Sequence, residues 1–454
     1  MSLWRSRSIV ALLLLAAAPP ACDPQKSDWG FDAIRTMVTP ADDPTLGCGL
    51  QIPADPAADA RAACQFSAGA RAPASLGIDE SVRAQIPIRH IVVMMKENRS
   101  FDHLLGRLHN LGRPDVEAVP STYFNPDLLG NSVFPSHATT TCIPHDPGHQ
   151  SGSVLTSINN GTMDGFVINA AQTTGTDGHF AMWQYEQTDF PFYYWLANEF
   201  AIADRHFAPM ASGTFGNRNF MLFGTNAGVV DTGISFPPPN TPSIMQLLMN
   251  RGFTWGAYSD GDPASGALDW GPSDPGVHTL QNFYDALDAG TLPNLSLVDG
   301  RDYIDDDHPF ADIQTGEAWT KAIYDHAIAS PQWPLMAIIW TYDEAGGFAD
   351  HVPPPLGCQA PTNAPSAKMG PRIPLVAISP WAKRGFASHV ARDHTAIIRF
   401  VETVFDLPAL TARDANSDAL FDLFDFSCGR DLTVPDAPAA GTNGCPDPPP
   451  LGAH

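Results

Sequence analysis

The chain has 454 residues and carries 49 acidic residues against 25 lysines and arginines, so its formal net charge is −24. That length is sufficient for one large hydrophobic core or for two domains. The acidic balance argues against nucleic-acid binding and against electrostatic attachment to anionic membranes. Because it also repels anionic substrates, any chemistry on a phosphate group would require cations placed locally.

The N-terminal segment has the pattern of an export signal. Arg5 and Arg7 precede an apolar run at residues 9–18 that is too short to span a bilayer permanently. We predict a signal peptide at residues 1–21 and an exported protein (periplasmic, secreted or lipid-anchored) with no transmembrane helix in its mature chain. Cys22 resembles the cysteine of a lipoprotein cleavage site, although Pro19 stands where leucine is usual, so a lipid anchor stays open.

Six further cysteines fit an oxidising compartment: Cys48, Cys64, Cys142, Cys358, Cys428 and Cys445. An even number of cysteines in an exported chain predicts disulfides. Short loops favour the pairs Cys48–Cys64 and Cys428–Cys445, which leaves Cys142 with Cys358. A zinc site is disfavoured because no two cysteines have the C-x-x-C spacing.

The remaining chain divides by composition. Residues 22–85 are rich in alanine, aspartate and proline and predict a loosely ordered N-terminal lead-in. Residues 86–430 alternate strand-like and helix-like runs, as α/β folds do, and predict the main folded domain. Residues 431–454 are rich in proline and glycine and predict an extended surface tail.

Two apolar runs are each followed by metal-binding residue types. Residues 91–95 predict a buried strand that ends at Glu97 and Asn98. Residues 335–341 predict a second one, followed by Asp343 and Glu344, whose adjacent carboxylates need neutralisation if buried. Ligands of open α/β sheets bind at the carboxyl ends of strands, and oxygen ligands suit hard cations. The sequence predicts one divalent metal shared by both strand ends, against the alternative of ordinary polar turns.

The segment at residues 211–218 has small residues that permit close approach of a ligand. In one interpretation Ser212 or Thr214 caps a helix that starts here. In the other, Thr214 is a nucleophile at the helix N-terminus, whose amides favour a phosphoryl group. Asn217 and Arg218 would then add contacts to a phosphate oxygen.

Histidines and aromatic residues leave further alternatives. His145, His149, His308 and His351 lie beside or close to acids in the sequence, and histidine serves as acid, base or metal ligand near neutral pH. Each could equally be a satisfied structural histidine. The aromatic run at residues 192–195 is either helix core or the lining of a choline pocket.

Six short motifs then occur in one order along the chain. They are E-N-R-S-F-D-H at 97–103, D-P-G-H at 146–149, N-G-T-M-D-G-F at 160–166, Y-D-E-A-G-G-F-A-D-H-V-P-P-P at 342–355, R-I-P to S-P-W at 372–381 and D-H-T at 393–395. With these motifs the chain resembles the bacterial phosphoesterase family that joins metal-dependent phospholipases C with related acid phosphatases. The resemblance covers about residues 86–405.

The resemblance implies an alkaline-phosphatase-like α/β sandwich with a central, mostly parallel sheet flanked by helices. It also implies roles for particular residues. The metal positions are Glu97, Asn98, Asp343 and Glu344; the catalytic positions are Thr214, His149, His308 and His351; and the expected substrate contacts are His145, Asn217 and Arg218. The family usually has proline where Gly216 stands, which keeps Ser212 as a second candidate nucleophile.

We therefore expect an exported, metal-dependent phosphoester hydrolase of the phospholipase C type that acts on phospholipid through a threonine nucleophile. An acid phosphatase acting on phosphomonoesters is the first alternative, since the chain lacks the long C-terminal extension of larger family phospholipases. A non-catalytic binding protein on the same fold is the second alternative.

Overall fold

The computed structural model describes residues 49–230, 241–261, 276–358, 367–426 and 436–442, together with Cys445. The predicted signal peptide, Cys22, Cys48 and Cys428 lie outside the described residues. Within the described ranges no helix is both long enough and apolar enough to cross a membrane.

The centre of the molecule is one eight-stranded sheet. Its strands in chain order are β1 (His90–Lys96), β2 (Ala201–Ala203), β3 (Trp255–Tyr258), β4 (Val277–His278), β5 (Leu295–Val298), β6 (Met336–Tyr342), β7 (Leu375–Ile378) and β8 (Ala387–Ser388). The spatial order is β8-β2-β7-β6-β1-β5-β3-β4. Among the strands that the structure describes, only β7 runs antiparallel to its neighbours, β6 and β2, and the other pairs in this sheet are parallel. The predicted α/β architecture with a mostly parallel sheet is confirmed.

Strands β1 and β6 form the middle of this sheet and are buried almost throughout. Their near-continuous apolar runs are typical of parallel strands that are covered on both faces. The two strands pair in parallel, with Lys96 opposite Tyr342 at their last positions. The residues that follow each strand, Glu97 and Asp343, therefore emerge side by side at the same edge of the sheet.

Helices cover the sheet and build its connections. The α-helices are Ala58–Ala62, Ala72–Ser75, Glu80–Arg83, Phe101–Leu105, Ser151–Ile158, Phe166–Thr174, Pro191–Glu199, Thr214–Phe223, Ile244–Asn250, Leu280–Ala289, Ile313–Ala329, His394–Val404 and Ala412–Ala415. Short 3-10 helices occupy His109–Leu111, Asn159–Gly161, His179–Met182, Trp333–Leu335 and Phe421–Leu423. Two small sheets pair Asn125–Pro126 with Ser132–Val133 and Ser136–His137 with Trp183–Gln184.

The buried apolar residues that the structure describes form a main core, a smaller second core and a third cluster of Phe207, Val352 and Met369. The main core contains the central strands and the helices packed on them. The second core joins helices Ser151–Ile158 and Phe166–Thr174 to Phe348 and Ala349, which follow the Asp343–Glu344 turn. The second core therefore lies against the loop that leaves β6.

The aromatic run at residues 192–195 belongs to the main core. Phe192, Tyr193 and Tyr194 are fully buried within helix Pro191–Glu199, and Trp195 is partly buried against the same core. Of the two interpretations, helix core is therefore the one that the structure supports, because buried rings of this kind do not line an open choline pocket.

The described part of the N-terminal lead-in is packed rather than loosely ordered. Leu50, Leu76 and Ile78 are buried in the main core, and three short helices lie between residues 58 and 83. The buried Arg61 donates to the carbonyl of Ser75 and pairs with Asp55. A few apolar anchors suffice here because the domain that contains the central sheet supplies the other side of each contact.

Two disulfides differ from the pairs that short loops favour. Cys64 bonds Cys358 and Cys142 bonds Cys445, with Cα–Cα distances of 5.4 and 5.7 Å. The expected pairs that involve these four cysteines are therefore wrong. Loop length misleads because packing of the lead-in and of the tail onto the domain brings residues 294 and 303 positions apart into contact.

Peptide mapping of the unreduced protein should recover linked peptides containing Cys64 with Cys358 and Cys142 with Cys445. Replacing both Cys142 and Cys445 by alanine should lower the free energy of unfolding by about 2–5 kcal/mol, because the unfolded chain regains the freedom of a long loop. Urea denaturation measures this change. Recovery of a Cys48–Cys64 peptide would contradict the assignment.

Candidate active site

Four polar side chains converge where β1 and β6 end. One terminal atom of the Asn98 side-chain amide lies 3.0 Å from Glu97 Oε2, 2.9 Å from Glu344 Oε1 and 3.2 Å from Asp343 Oδ1. The Asn98 backbone N–H also donates to Asp343 Oδ1 at 2.9 Å. The parallel register of the two strands thus brings the predicted metal positions into one buried cluster.

Backbone conformation brings Asn98 into this cluster. Its φ of 60° lies in the left-handed region, which asparagine tolerates better than most residues. Gly346, with a φ of 62°, passes so close to the Asn98 backbone that a Cβ at position 346 would collide with it. Its backbone N–H donates to Glu344 Oε2 at 2.7 Å. The glycine after the Asp343–Glu344 pair is therefore required by the close approach of two loops.

The carboxylates of the cluster repel one another in a dry environment. Burial is the main reason why the pKa of Asp343 lies well above its ordinary value, and the negative charges of Glu97 and Glu344 raise it further. Burial raises the pKa of Glu344 to about 7. Burial also opposes ionisation of Glu97, but Arg218 and His308 outweigh it and lower the pKa of that carboxyl. Additional positive charge would relieve the repulsion between Asp343 and Glu344.

The hydrogen bonds of His308 determine which way the Asn98 side-chain amide is turned, and that orientation decides whether a cation fits the cluster. His308 Nδ1 lies 3.0 Å from the carbonyl of Pro309, which can only accept, so Nδ1 carries a proton. Burial lowers the pKa of His308, and in the neutral ring Nε2 is then an acceptor. Nε2 is 2.8 Å from the other terminal atom of the Asn98 amide, which must be the NH₂ group. The Asn98 carbonyl oxygen then faces three carboxylates, and such an all-oxygen set fits a hard divalent cation.

Two other clusters of potential ligands do not need a cation. Asp102, Asp350 and His351 lie close together, but Arg372 donates to Asp102 Oδ1 at 2.7 Å and to Asp350 Oδ1 at 2.9 Å. A guanidinium therefore neutralises both carboxylates. A further cluster contains Cys142 and Cys445, whose sulfurs are already joined as a disulfide.

Thr214 lies beside the carboxylate cluster at the start of helix Thr214–Phe223. Its hydroxyl donates to Glu97 Oε2 at 3.3 Å, and the side chain is partly exposed. The N-cap residue is Gly213, and no side chain caps the helix, so neither Ser212 nor Thr214 has the predicted capping role. The first amides of a helix without a side-chain cap can bind an anion. Ser212, the second candidate, is 1% exposed and its hydroxyl has no hydrogen-bond partner.

Gly216 stands where proline is usual in the family, and a side chain at this position would meet Met210. A Cβ at position 216 would lie 2.9 Å from Met210 Sδ. A larger residue here would therefore require the flexible Met210 side chain to shift. The loop before the helix is held by Asn217, which accepts from the Met210 amide at 2.8 Å and donates to the Ser212 carbonyl at 2.7 Å.

Arg218 is directed at protein acceptors. Its Nε donates to Glu97 Oε1 at 2.9 Å, one terminal nitrogen donates to Asp299 Oδ1 at 2.8 Å, and the other donates to the Met95 carbonyl at 3.1 Å. Arg218 is buried, as is Asn217. Arg218 therefore supports Glu97, and Asn217 supports the loop that carries Thr214. These roles differ from the substrate contacts that the sequence predicts for both residues.

His149 and His308 lie next to each other beside the cluster, with ring centroids 5.9 Å apart. Burial would lower the pKa of His149, but Glu344 and Asp146 outweigh it and raise that pKa to about 10. His149 therefore carries a positive charge at neutral pH. His145 is partly exposed and packs against Phe180, with ring centroids 5.5 Å apart.

His351 belongs to a network that the sequence did not reveal. Its Nδ1 is 2.7 Å from Asp102 Oδ2, and its backbone N–H donates to the same oxygen at 2.9 Å. Burial opposes protonation, but Asp102 outweighs it and raises the pKa of His351. Asp102, Asp350 and Arg372 all lie within the recognised motifs, yet only the folded chain shows that they act on one histidine.

Two buried contacts behind the site were also missed. His394 Nε2 donates to the Asp343 carbonyl at 2.9 Å, which fixes the backbone of a cluster residue. Lys96 pairs with Asp307 at 3.2 Å and so holds the segment that carries His308. The D-H-T motif and the acid before His308 were the available signals, but neither indicates its partner.

Similarity to known proteins agrees with this geometry. The model of the Phosphoesterase family matches residues 88–408. The chain belongs to the Phosphoesterase family. The family predicted from the six motifs is therefore confirmed.

Three relatives illustrate the range of similarity. Non-specific phospholipase C1 of Arabidopsis thaliana is 32% identical over 382 residues, which cover 73% of this chain and 70% of the relative. Phospholipase C A of Mycobacterium tuberculosis is 26% identical over a region that covers 77% of this chain and 79% of the relative. Non-hemolytic phospholipase C of Burkholderia pseudomallei is 26% identical over a region that covers 70% of this chain and 55% of the relative. Membership and relatives together identify this phosphoesterase as a hydrolase of phosphoester bonds, in contrast to the non-catalytic alternative.

Solved structures match more weakly. The lipoteichoic acid synthase LtaP of Listeria monocytogenes is 8% identical with a TM-score of 0.37, covering 73% of this chain and 76% of that one. A protein of the alkaline phosphatase superfamily from Vibrio parahaemolyticus is 11% identical with a TM-score of 0.35, covering 69% and 78%. At these scores the fold assignment rests on the strands and helices described above.

Replacing Gly346 by alanine should displace Asn98, because the new Cβ collides with the Asn98 backbone. We expect loss of bound divalent metal and of hydrolysis, with metal content measured by mass spectrometry. Gly175→Ala is the matched control, since Gly175 has a similar φ of 72° but open space around its Cβ. The control should lose about 1 kcal/mol of stability and keep its metal. Equal metal content in both variants would contradict this account of Gly346.

Metal-free protein should become less stable as the pH rises from about 4.5 to 7. The pKa of Glu344 is raised from 4.5 to about 7 in the fold, so the folded state binds this proton more tightly than the unfolded state does. The stabilisation is complete below pH 4.5 and is lost as the pH passes 7, a change of about 3 kcal/mol. Urea denaturation across this range measures it.

Two comparisons isolate Glu344 as the cause. Glu344→Gln should flatten the pH dependence, and saturating divalent metal should do the same in the unsubstituted protein. An identical slope in metal-free Glu344→Gln and in the unsubstituted protein would refute the assignment.

Proposed function

We propose that this phosphoesterase is an exported, metal-dependent phospholipase C that cleaves phospholipids through Thr214. The observation that carries the proposal is the position of the Thr214 hydroxyl, 3.3 Å from Glu97 Oε2 at a helix N-terminus without a side-chain cap. The hydroxyl thus lies beside a cluster suited to a cation, on the first residue of a helix whose N-terminal amides suit a phosphate.

Glu97, Asn98, Asp343 and Glu344 would hold one divalent cation. A bound cation supplies positive charge that lowers the pKa of an attacking hydroxyl and offsets the charge of a phosphate oxygen. Arg218 supports this arrangement from behind, because its bonds to Glu97 and Asp299 fix the Glu97 carboxylate. Asn217 in turn fixes the loop that presents Thr214.

The reaction would proceed through two displacements at phosphorus. The Thr214 oxygen attacks, a new P–O bond forms, and the P–O bond to diacylglycerol breaks, which leaves the head-group phosphate esterified to Thr214. Water then attacks the same phosphorus, frees Thr214 and releases the phosphorylated head group. The helix amides bind the phosphate in both steps.

A histidine would give the departing diacylglycerol oxygen its proton. His149 and His351 are the candidates because neighbouring carboxylates raise the pKa of each, which favours the protonated ring. Asp102 would hold the His351 ring through Nδ1 at 2.7 Å. His308, which is neutral, would instead orient the Asn98 amide.

The names of the relatives favour phospholipid as the substrate. The three described above are phospholipases C, and none of them is named as a phosphatase. Export agrees with the two disulfides. The acid phosphatase is the alternative that the substrate screen below tests.

Thr214→Val should lower turnover of phosphatidylcholine by about three orders of magnitude or more, because it keeps the shape of the side chain but removes the nucleophile. Thr214→Ser should retain part of the activity. Ser212→Ala is the control and should keep near-normal turnover, since its buried hydroxyl has no role in the proposal. Product release is measured for phosphatidylcholine and for p-nitrophenyl phosphate in parallel.

Near-normal turnover by Thr214→Val would exclude covalent catalysis at this residue. Faster turnover of p-nitrophenyl phosphate than of phosphatidylcholine would instead support the acid phosphatase and overturn the assignment as a phospholipase.

A further inference from the structure

A β-hairpin exposes an unusual concentration of large apolar side chains. Ten large hydrophobic residues are exposed in the described part of the chain, and four of them lie between residues 124 and 134. These are Leu129 (87% exposed), Leu128 (59%), Phe134 (50%) and Phe124 (43%). Clustered exposure of this kind marks an interaction surface.

The strand alternation of the hairpin separates anchors from exposed residues. Asn125 pairs with Val133 across the two short strands. The side-chain oxygen of the buried Asn125 accepts a hydrogen bond from the Phe166 backbone N–H at 2.7 Å. Val133 packs against the second core. Phe124 and Phe134, one position away from each anchor, point to the opposite face, where their ring centroids are 5.7 Å apart.

The tip of the hairpin is held rigidly by one aspartate. Asp127 Oδ1 accepts from the backbone of Leu129 and of Asn131, both at 2.8 Å, and Asp127 Oδ2 accepts from the Asn131 side chain at 2.9 Å. The Gly130 amide donates to the Asp127 carbonyl at 3.0 Å. The two leucines are therefore presented on a preorganised turn, which reduces the entropy lost on binding.

The hairpin is continuous with the candidate active site. Tyr123, the residue before Phe124, donates through its hydroxyl to the carbonyls of Met163 at 2.8 Å and Asp350 at 3.3 Å. Its ring centroid lies 6.0 Å from that of His351. A surface that binds at this hairpin would thus lie close to His351, one of the two candidate proton donors.

We propose that the hairpin at residues 124–134 inserts into the surface of a zwitterionic phospholipid bilayer and delivers head groups to the site. Asp127 is the only charged residue of this segment, and the turn itself satisfies its carboxylate. With no lysine or arginine here and a net charge of −24, attraction to anionic lipids does not contribute. The contact depends on apolar insertion, and this proposal rests on the proposed phospholipase activity.

The test compares the full mature chain with its Leu128→Ser/Leu129→Ser variant. Partitioning onto phosphatidylcholine vesicles is measured by co-sedimentation, and we expect it to fall about tenfold or more because two leucines no longer leave water. Turnover of vesicular phosphatidylcholine should fall in parallel. Turnover of short-chain phosphatidylcholine below its aggregation concentration should be unchanged.

Met249→Ser/Val390→Ser is the matched control, since both residues are exposed apolar residues outside the hairpin. It should partition as the unsubstituted protein does. Unchanged partitioning of the leucine variant would overturn the proposal, as would a change only in oligomeric mass on size-exclusion chromatography, which would make a second copy the occupant. Hairpin-dependent partitioning without hydrolysis of any phosphoester would support the surface and refute the proposed function alone.

Discussion

Like charges repel strongly when they are removed from water, and the two central parallel strands bring Glu97, Asp343 and Glu344 together in a buried space. Much of the surrounding structure serves to hold these carboxylates in place. Asn98 adopts a left-handed backbone to reach them, and Gly346 has no side chain because the two loops nearly touch. A cation at this point would remove the repulsion for which the fold otherwise has no full compensation.

Two buried arginines neutralise other carboxylates in and around the site. Arg218 compensates Glu97 and Asp299 behind the cluster, while Arg372 compensates Asp102 and Asp350 around His351. Neither guanidinium is left free to bind a phosphate. In the proposed mechanism, positive charge for a substrate would come from His149 and His351, from the helix amides and from a cation held by the cluster.

The second core links this chemistry to the surface. Phe348 and Ala349 pack among helices Ser151–Ile158 and Phe166–Thr174 immediately after the Asp343–Glu344 turn. The same core anchors the exposed hairpin through Val133 and Tyr123. The loop that leaves β6 thus links the carboxylate cluster to the segment proposed to meet the bilayer.

The sequence by itself determined the fold class, the two strand ends and the family, because apolar runs and short ordered motifs are local properties. It located Glu97, Asn98, Asp343, Glu344 and Thr214, since each lies in or next to such a local pattern. It could not determine the disulfide pairs, because packing over about 300 residues, not loop length, joins Cys64 to Cys358. Nor could it assign partners to charged residues.

Only the tertiary structure decided that Arg218 supports Glu97, that Asp102 holds His351, and that the lead-in contributes to the main core. These contacts join segments distant in sequence, and their choice depends on which side chains the folded sheet brings within hydrogen-bonding distance. The composition of a segment does not predict which side chains of other segments will lie close to it.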